Sequence, residues 1–268
     1  MNWFSPCLAL LLLLSAAPGA GAQIIQARDD PPDFAINLDG PGVLDRGTTA
    51  GRIDVRAFGG REDLVYTSLG VRVGLGHDWE AAVRASIADR KSLLLPGGGS
   101  IRHGGSDAEV FARCRFFHGG LSTPEPSLTG LIGFALPNTP ARTAAAMTVG
   151  LSAATPTGRL AVFTLNPRVA FLEHNTLFGL GLGVHLKLGS GISFIGDYTA
   201  LVAGDNTRDS ATGALMSRDV YGVAIRYSTR QLSLDLGFTN GAGGTTGFSL
   251  TPGLGGSGAL YFSIAAHH

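Results

Sequence analysis

The sequence predicts an all-β fold: a transmembrane, antiparallel, up-and-down β-barrel of about 12 strands. From about Ala50 to the C-terminus, apolar and polar residues alternate with a period of two, which is the side-chain period of a β-strand. Most of the segments defined in this way are about ten residues or longer. Globular strands average about five to six residues, whereas a tilted strand that crosses a bilayer needs about nine to eleven. The charged fraction of 15% is also below the roughly 25% of soluble domains.

Residues 1–22 have the pattern of a secretory signal peptide. The apolar run at residues 8–14 is too short to cross a bilayer, and Ala20-Gly21-Ala22 supplies small residues for cleavage. No Lys or Arg precedes the run, which departs from the usual signal. Removal of the signal leaves Cys114 as the single cysteine, so no internal disulfide is predicted. No other apolar run is long enough for a transmembrane helix. Such a chain can satisfy the hydrogen-bonding groups of its backbone in lipid only as a closed barrel.

Residues 23–48 form the least patterned part of the chain and are predicted to be a flexible N-terminal segment. Stretches rich in Asp, Pro and Gly at 29–33 and 39–42 are typical of turns. Two arrangements remain open at this point: a free segment beside an open lumen, or a plug folded back into the lumen. The barrel domain is predicted to occupy residues 49–268.

The clearest element is a hairpin between residues 64 and 88. Val71 and Val73 fall on one face of its first strand, whereas Arg72 and Gly74 fall on the other. After a tight turn at residues 76–78, the same alternation resumes at Trp79. One face of this hairpin is therefore apolar and the other polar. The predicted strands lie near 50–58, 64–75, 79–88, 106–117, 127–136, 144–154, 159–171, 175–188, 191–202, 218–227, 231–240 and 257–266.

The connections between these strands alternate in length. The long ones, at 89–105, 203–217 and 241–256, all fall on one end of the barrel, and most connections at the other end are tight. With a periplasmic N-terminus, the long loops face outside, which is the habit of outer-membrane barrels. The predicted location is therefore the bacterial outer membrane, with outer-membrane lipid and the outer-membrane insertion machinery as partners. The formal net charge of zero gives no indication of a nucleic-acid partner.

The charged residues of the strands fall on a single phase, which we assign to the lumen. Glycine and alanine are also frequent on this phase, as expected where lumen walls approach each other or a strand curves. A soluble barrel, with its apolar face inside, is the alternative. The residues predicted to line the lumen are Arg72, Arg84, Glu109, Arg113, Arg115, His185 and Asp197.

Motifs for catalysis are not found, and no enzyme activity, metal site or cofactor is predicted. The glycine run at 179–183 lies inside an alternating strand without a following helix, so it lacks the geometry that cradles phosphate. His185, Ser193 and Asp197 share the lumen face, which leaves a lipid-modifying Ser–His enzyme as a less favoured hypothesis. A lipid substrate would need these groups near the outer leaflet, but His185 and Ser193 lie towards the periplasmic end. His103 lies in a long loop, and His174 lies in the short outside turn at 172–174. His267 and His268 are interpreted as a frayed terminus.

Three short motifs resemble the MetA-pathway of phenol degradation family of outer-membrane barrels. They are the stretches at 74–80, 133–138 and 238–241. In the second, Asn138 and Thr139 stand where that family tends to have a Leu-Pro-Thr-Gly type of sequence. The resemblance implies a barrel of this size that passes or takes up small, hydrophobic compounds, and it implies no catalytic residues.

Two functional hypotheses follow for the barrel. The first is a passive channel or uptake barrel for a small-molecule solute. The second is a non-conducting structural or surface-interaction barrel that acts through its long outer loops. The number of strands does not distinguish these hypotheses. Barrels of eight strands are filled by side chains and those of sixteen are open, and twelve strands lie between the two.

Overall fold

The structure is a computed structural model, and it describes residues 36–60, 63–117, 126–138, 145–157, 160–172 and 175–268. The predicted signal peptide at 1–22, residues 23–35 and His174 lie outside these ranges.

The described chain forms a closed antiparallel barrel of 12 strands, which confirms the predicted fold class. β1 pairs with both β2 and β14, and the second pairing closes the wall. In chain order the strands are β1 (Thr49–Phe58), β2 (Leu64–Gly76), β3 (Trp79–Leu94), β4 (Ser100–Phe117), β5 (Ser127–Ala135), β6 (Ala146–Thr157), β7 (Ala161–Phe171), β8 (Leu177–Gly189), β9 (Ile192–Ala203), β10 (Thr207–Arg208), β11 (Leu215–Met216), β12 (Val220–Ser228), β13 (Leu232–Thr239) and β14 (Ala259–His267). β10 and β11 pair only with each other, in the connection that joins the barrel strands β9 and β12.

The two ends of the barrel differ in their connections. We call the end at which β1 begins the turn end; it carries, for example, the turn at Gly189–Ile192 between β8 and β9. We call the other end the loop end, where residues 204–219 and 240–258 connect neighbouring strands. The sorting of tight turns and long connections follows the sequence prediction, with one exception.

The exception is the predicted loop at 89–105, which is wrong because most of it is strand. β3 and β4 continue to pair as far as Leu94 and Ser100, after a register shift between Ala88 and Lys91. β2 follows β3 only as far as Ala88, so this part of the hairpin stands above the neighbouring wall. The charged residues 89–91 interrupt the alternation, but the pairing of the two strands continues past them.

Strands β6 and β7 pair despite the proline at position 167. Their ladder is complete on either side of this residue, at Gly150–Arg168 and at Ala153–Leu165. Proline has no N–H to donate. The side chain of Asn166 compensates by donating from Nδ2 to the carbonyl of Leu151 at 2.7 Å. The strands predicted near 144–154 and 159–171 are therefore present as neighbours.

The wall has an apolar outer face and a charged inner face. Val71, Val83 and Ile87 point outward and are 56%, 53% and 56% exposed, whereas Arg56 and Glu80 point inward and are fully buried. A soluble barrel with an apolar interior has the reverse arrangement, and that alternative is wrong. Among the described residues, no helix is long and apolar enough to cross a membrane.

Candidate functional site

The lumen is occupied by residues 36–44, which we call the lumen segment. Its N-terminal anchor is Asp197 of β9. The backbone amides of Ile36 and Asn37 both donate to Asp197 Oδ2 at 2.8 Å, and Asn37 Nδ2 donates to Oδ1 at 2.8 Å. A carboxylate that accepts three such bonds is a strong and directional anchor. The N-terminal part of the described chain is thus fixed to the inner wall.

Backbone carbonyls of the lumen segment are held by side chains from several other strands. Arginines of β1, β2, β4 and β7 donate to four of these carbonyls: Arg56 to Ile36 at 3.0 Å, Arg72 to Gly42 at 3.2 Å, Arg168 to Asn37 at 2.6 Å, and Arg113 to Gly40. Thr129 of β5 donates to the carbonyl of Pro41 at 2.5 Å, and Ser152 of β6 donates to that of Asp39 at 2.7 Å. These contacts satisfy an irregular backbone that water cannot reach freely.

Glycines on the inner face make room for the lumen segment. A Cβ built on Gly181 would lie 2.5 Å from Leu38 Cδ2, and one built on Gly183 would lie 3.1 Å from Leu38 Cδ1. On β12, a Cβ on Gly222 would lie 3.0 Å from two carbon atoms of Ile36. Glycines on this phase are predicted where lumen walls approach each other or where a strand curves. Here they accept the apolar side chains of the segment.

A second element enters the lumen from the loop end. Residues 240–258, which we call the inward loop, contain the short helix α1 (Thr246–Ser249). Thr245 Oγ1 donates to Asp107 Oδ2 at 2.6 Å, and the amide of Thr246 donates to Glu109 Oε2 at 2.9 Å. Phe248 packs edge-on against Tyr66, with ring centroids 5.6 Å apart. The interpretation of 241–256 as a loop outside the barrel is therefore wrong, because its polar and aromatic residues find partners on the inner wall.

Most of the residues predicted to line the lumen form one connected network. Glu80 accepts from Arg72 at 2.6 Å and from Arg113 at 3.0 Å. Glu109 accepts from Arg84 Nε at 2.6 Å, and Arg84 reaches Asp39 Oδ1 at 2.9 Å. The lumen segment thus joins a set of ion pairs that also link neighbouring strands of the wall.

Arg115 and His185 lie outside this network. Arg115 pairs with Asp78 at 2.5 Å, at the β2–β3 turn, so it belongs to the rim of the turn end. His185 of β8 is partly buried, and neither of its ring nitrogens has a hydrogen-bond partner among the described residues. It stands opposite Ile195 in the β8–β9 pair.

The described geometry does not join His185, Ser193 and Asp197 in the hydrogen-bonded relay that a Ser–His enzyme requires. Asp197 is engaged by Ile36 and Asn37 of the lumen segment. The ring of His185 makes no hydrogen bond to Ser193 or Asp197. Within the described ranges, no group of three or more His, Cys, Asp or Glu side chains is placed to hold a metal ion.

A small cavity remains in the lumen between the segment and the wall formed by β1 to β4. Its volume is about 60 Å³, enough for only a few water molecules. Its polar lining includes Arg52, Asp54, Arg72, Arg84 and Asp39. The lumen as described therefore holds water-sized space beside charged groups.

The loop end is also crossed by the raised part of the β3–β4 hairpin. Leu95 and Ile101 reach Gly213, because a Cβ on that glycine would lie 3.4 Å from Leu95 Cδ1 and 3.7 Å from Ile101 Cγ1. Gly213 belongs to the connection between β9 and β12, on the opposite side of the barrel in the strand order. The hairpin thus spans the mouth above the inward loop.

Sequence reasoning did not identify the residues of the lumen segment that meet the wall. Ile36, Asn37, Leu38 and Asp39 are buried or nearly so, and the segment binds groups up to 202 positions away. Two signals for them were present in the sequence. One is the row of glycines on the inner face of β8, and the other is a single acidic residue, Asp39, in a segment that faces an arginine-rich wall.

The fold is similar to that of three solved porins or channels. The KdgM porin has a TM-score of 0.51 and 8% identity, covering 82% of this chain and 98% of that chain. The NanC porin has a TM-score of 0.53 and 9% identity, covering 81% and 98%. An outer membrane channel from Pseudomonas putida F1 has a TM-score of 0.56 and 12% identity, covering 89% and 99%. No family model matches the sequence, and no curated protein matches it.

Identities this low show a shared fold. The structure and these similarities together define the class of the molecule as a porin-like, 12-stranded antiparallel barrel with a filled lumen. The resemblance to the MetA-pathway family stays a prediction, since no family model matches.

Proposed function

We propose that this protein is an outer-membrane channel for small polar solutes, and that the lumen segment closes it in the described conformation. The observation that carries the proposal is the docking of residues 36–44 on inward-facing arginines and on Asp197. The strands close the barrel by pairing with one another, without help from the lumen segment. Withdrawal of the segment would therefore leave a polar passage inside an intact barrel.

The polarity of the wall supports insertion into a membrane. Every backbone group of a closed barrel finds its partner in a neighbouring strand, and the outer face is apolar, as lipid requires. The predicted signal peptide at 1–22 provides export, and the insertion machinery would then deliver the barrel to the outer membrane. We assign the turn end to the periplasm, because outer-membrane barrels carry their short turns on that side.

Polar solutes fit the inner wall better than the hydrophobic compounds that the MetA-pathway resemblance implies. Arg84, Arg113 and Glu109 lie along the passage, and an apolar solute would have to desolvate these groups. The similar solved structures are named as porins or as a channel, which supports passage as the general function.

Ion selectivity tests whether the lumen is the path. In the barrel that lacks residues 23–44, Arg113→Gln should shift the reversal potential under a KCl gradient toward cation selectivity, because a positive charge leaves the passage. Arg115→Gln is the matched control, since it removes the same charge from the rim beside Asp78, and we expect a smaller shift. Equal shifts, or none for Arg113→Gln, would place the current outside the lumen.

A further inference from the structure

We propose that Arg84, Arg113 and Arg168 form a carboxylate-binding site in the lumen, which Asp39 occupies while the barrel is closed. A small solute that carries a carboxylate would compete with Asp39 for this site and so favour withdrawal of the lumen segment. The role of this site in opening the barrel rests on the proposed channel function. Binding of a carboxylate at the site can be tested without any measurement of current.

The carboxylate of Asp39 is bound by one arginine, and two further arginines hold the backbone on either side of it. Arg84 reaches both carboxylate oxygens, with Nη1 at 2.9 Å from Oδ1 and Nη2 at 3.4 Å from Oδ2. Arg168 and Arg113 hold the carbonyls of residues 37 and 40, on either side of Asp39. Three guanidinium groups from β3, β4 and β7 therefore converge on one short stretch of the segment. The planar fork of arginine suits carboxylates in this way.

The charge balance of the cluster depends on Asp39. Arg84 has a second partner in Glu109, and Arg113 has one in Glu80. Arg168 donates to the hydroxyls of Ser249 and Thr199 and to a carbonyl. Among the described residues, Arg168 makes no ion pair with a carboxylate, and it lines a small cavity together with Asp39 and Arg113. Departure of the segment would leave this part of the wall with an excess of positive charge.

Space for a solute adjoins the position of the Asp39 carboxylate. The cavity of about 60 Å³ is lined by Asp39 and Arg84, and also by Arg52 of β1 and Arg72 of β2, the next two strands of the wall. A small dicarboxylate could therefore place one carboxylate in the position of Asp39 and direct the other toward these arginines. Arg226 offers a comparison, because it binds the carboxylate of Asp235 in the wall through two bonds, at 2.7 and 2.8 Å.

Calorimetric titration of the refolded mature protein with succinate, in buffer without other carboxylates, tests the proposal. Asp39→Asn removes the competing carboxylate and keeps the size of the side chain. We expect this variant to bind succinate at least about tenfold more tightly than the wild type, a difference of about 1.4 kcal/mol. The neutral diamide of succinate should bind neither form.

Two further variants distinguish a site from a general positive charge. In the Asp39→Asn background, Arg168→Gln should abolish the gain in succinate affinity, whereas Arg226→Gln should leave it intact. The fold of each variant is checked by its heat-dependent gel mobility. Should Arg168→Gln fail to fold, the comparison of wild type with Asp39→Asn, and of succinate with its diamide, decides the question alone.

The proposal is overturned if Asp39→Asn binds succinate no more tightly than the wild type, or if Arg226→Gln abolishes the gain as well as Arg168→Gln does. Its failure is distinct from that of the channel proposal. Current through the barrel that lacks residues 23–44, together with no gain for Asp39→Asn, would retain the channel and reject the site. A gain in affinity without any current would retain the site and reject the channel.

Discussion

Replacement of Asp197 by alanine should open the full-length mature protein in planar bilayers. The carboxylate accepts three hydrogen bonds from the lumen segment, and bonds to a charged group contribute about 1.5–3 kcal/mol each. Alanine removes all three and leaves two backbone amides without an acceptor. At the lower end of this range, loss of the three bonds weakens the docking of the segment by about 4.5 kcal/mol. We therefore expect current steps to appear that the wild type lacks.

Asp235→Ala is the matched control for this experiment. Asp235 is also a buried lumen carboxylate, but its partners are Arg226 and Tyr261 of the wall. The control should lower the stability of the barrel without releasing the segment, so it should remain closed. Silence of Asp197→Ala, or equal opening by Asp235→Ala, would show that Asp197 does not hold the segment in place.

Arginine in place of Val83 should destabilise the barrel strongly in lipid. Val83 lies near the middle of the part of β3 that belongs to the wall, pairs with Val71 and Val110, and is 53% exposed on the outer face. An arginine that faces lipid at the bilayer midplane costs about 2–4 kcal/mol, falling to about 0–1 kcal/mol near the interface. Chemical denaturation of the protein in lipid vesicles measures the free energy of unfolding directly.

Leu75→Arg provides the comparison at another depth. Leu75 is 55% exposed on the same outer face, but it lies in β2 beside the β2–β3 turn. Its replacement should cost much less than that of Val83. If both substitutions changed the free energy of unfolding by less than about 0.5 kcal/mol, as ordinary surface substitutions do, the outer face would not be in contact with lipid.

The sequence allowed prediction of the barrel because the evidence for it is local. The alternation through β2 and β3, broken only at the turn near His77, defines both faces and the register of the hairpin. The same reasoning placed Arg84 and Glu109 on the inner phase, and these two residues lie opposite each other in the β3–β4 pair. Short-range patterns of this kind do not depend on what fills the lumen.

The contents of the lumen depend on contacts between distant parts of the chain. Asn37 meets Thr239 across 202 positions, and Thr246 meets Glu109 across 137. Neither segment has a periodic pattern, because each follows the shape of the wall instead of pairing as a strand. The raised part of the β3–β4 hairpin was missed for a different reason. The charged residues at 89–91 interrupt the alternation, and β3 continues past them only because it stays paired with β4.

Single-channel recording of the mature protein with two N-terminal deletions tests the account most directly. Deletion of residues 23–44 removes the lumen segment, whereas deletion of residues 23–35 shortens the chain and leaves residues 36–44 in place. We predict steady current steps from the first variant, and closed barrels from the second and from the full-length protein. Silence of all three, with each shown to be folded by its heat-dependent gel mobility, would contradict the channel and favour a non-conducting barrel that acts through its outer loops.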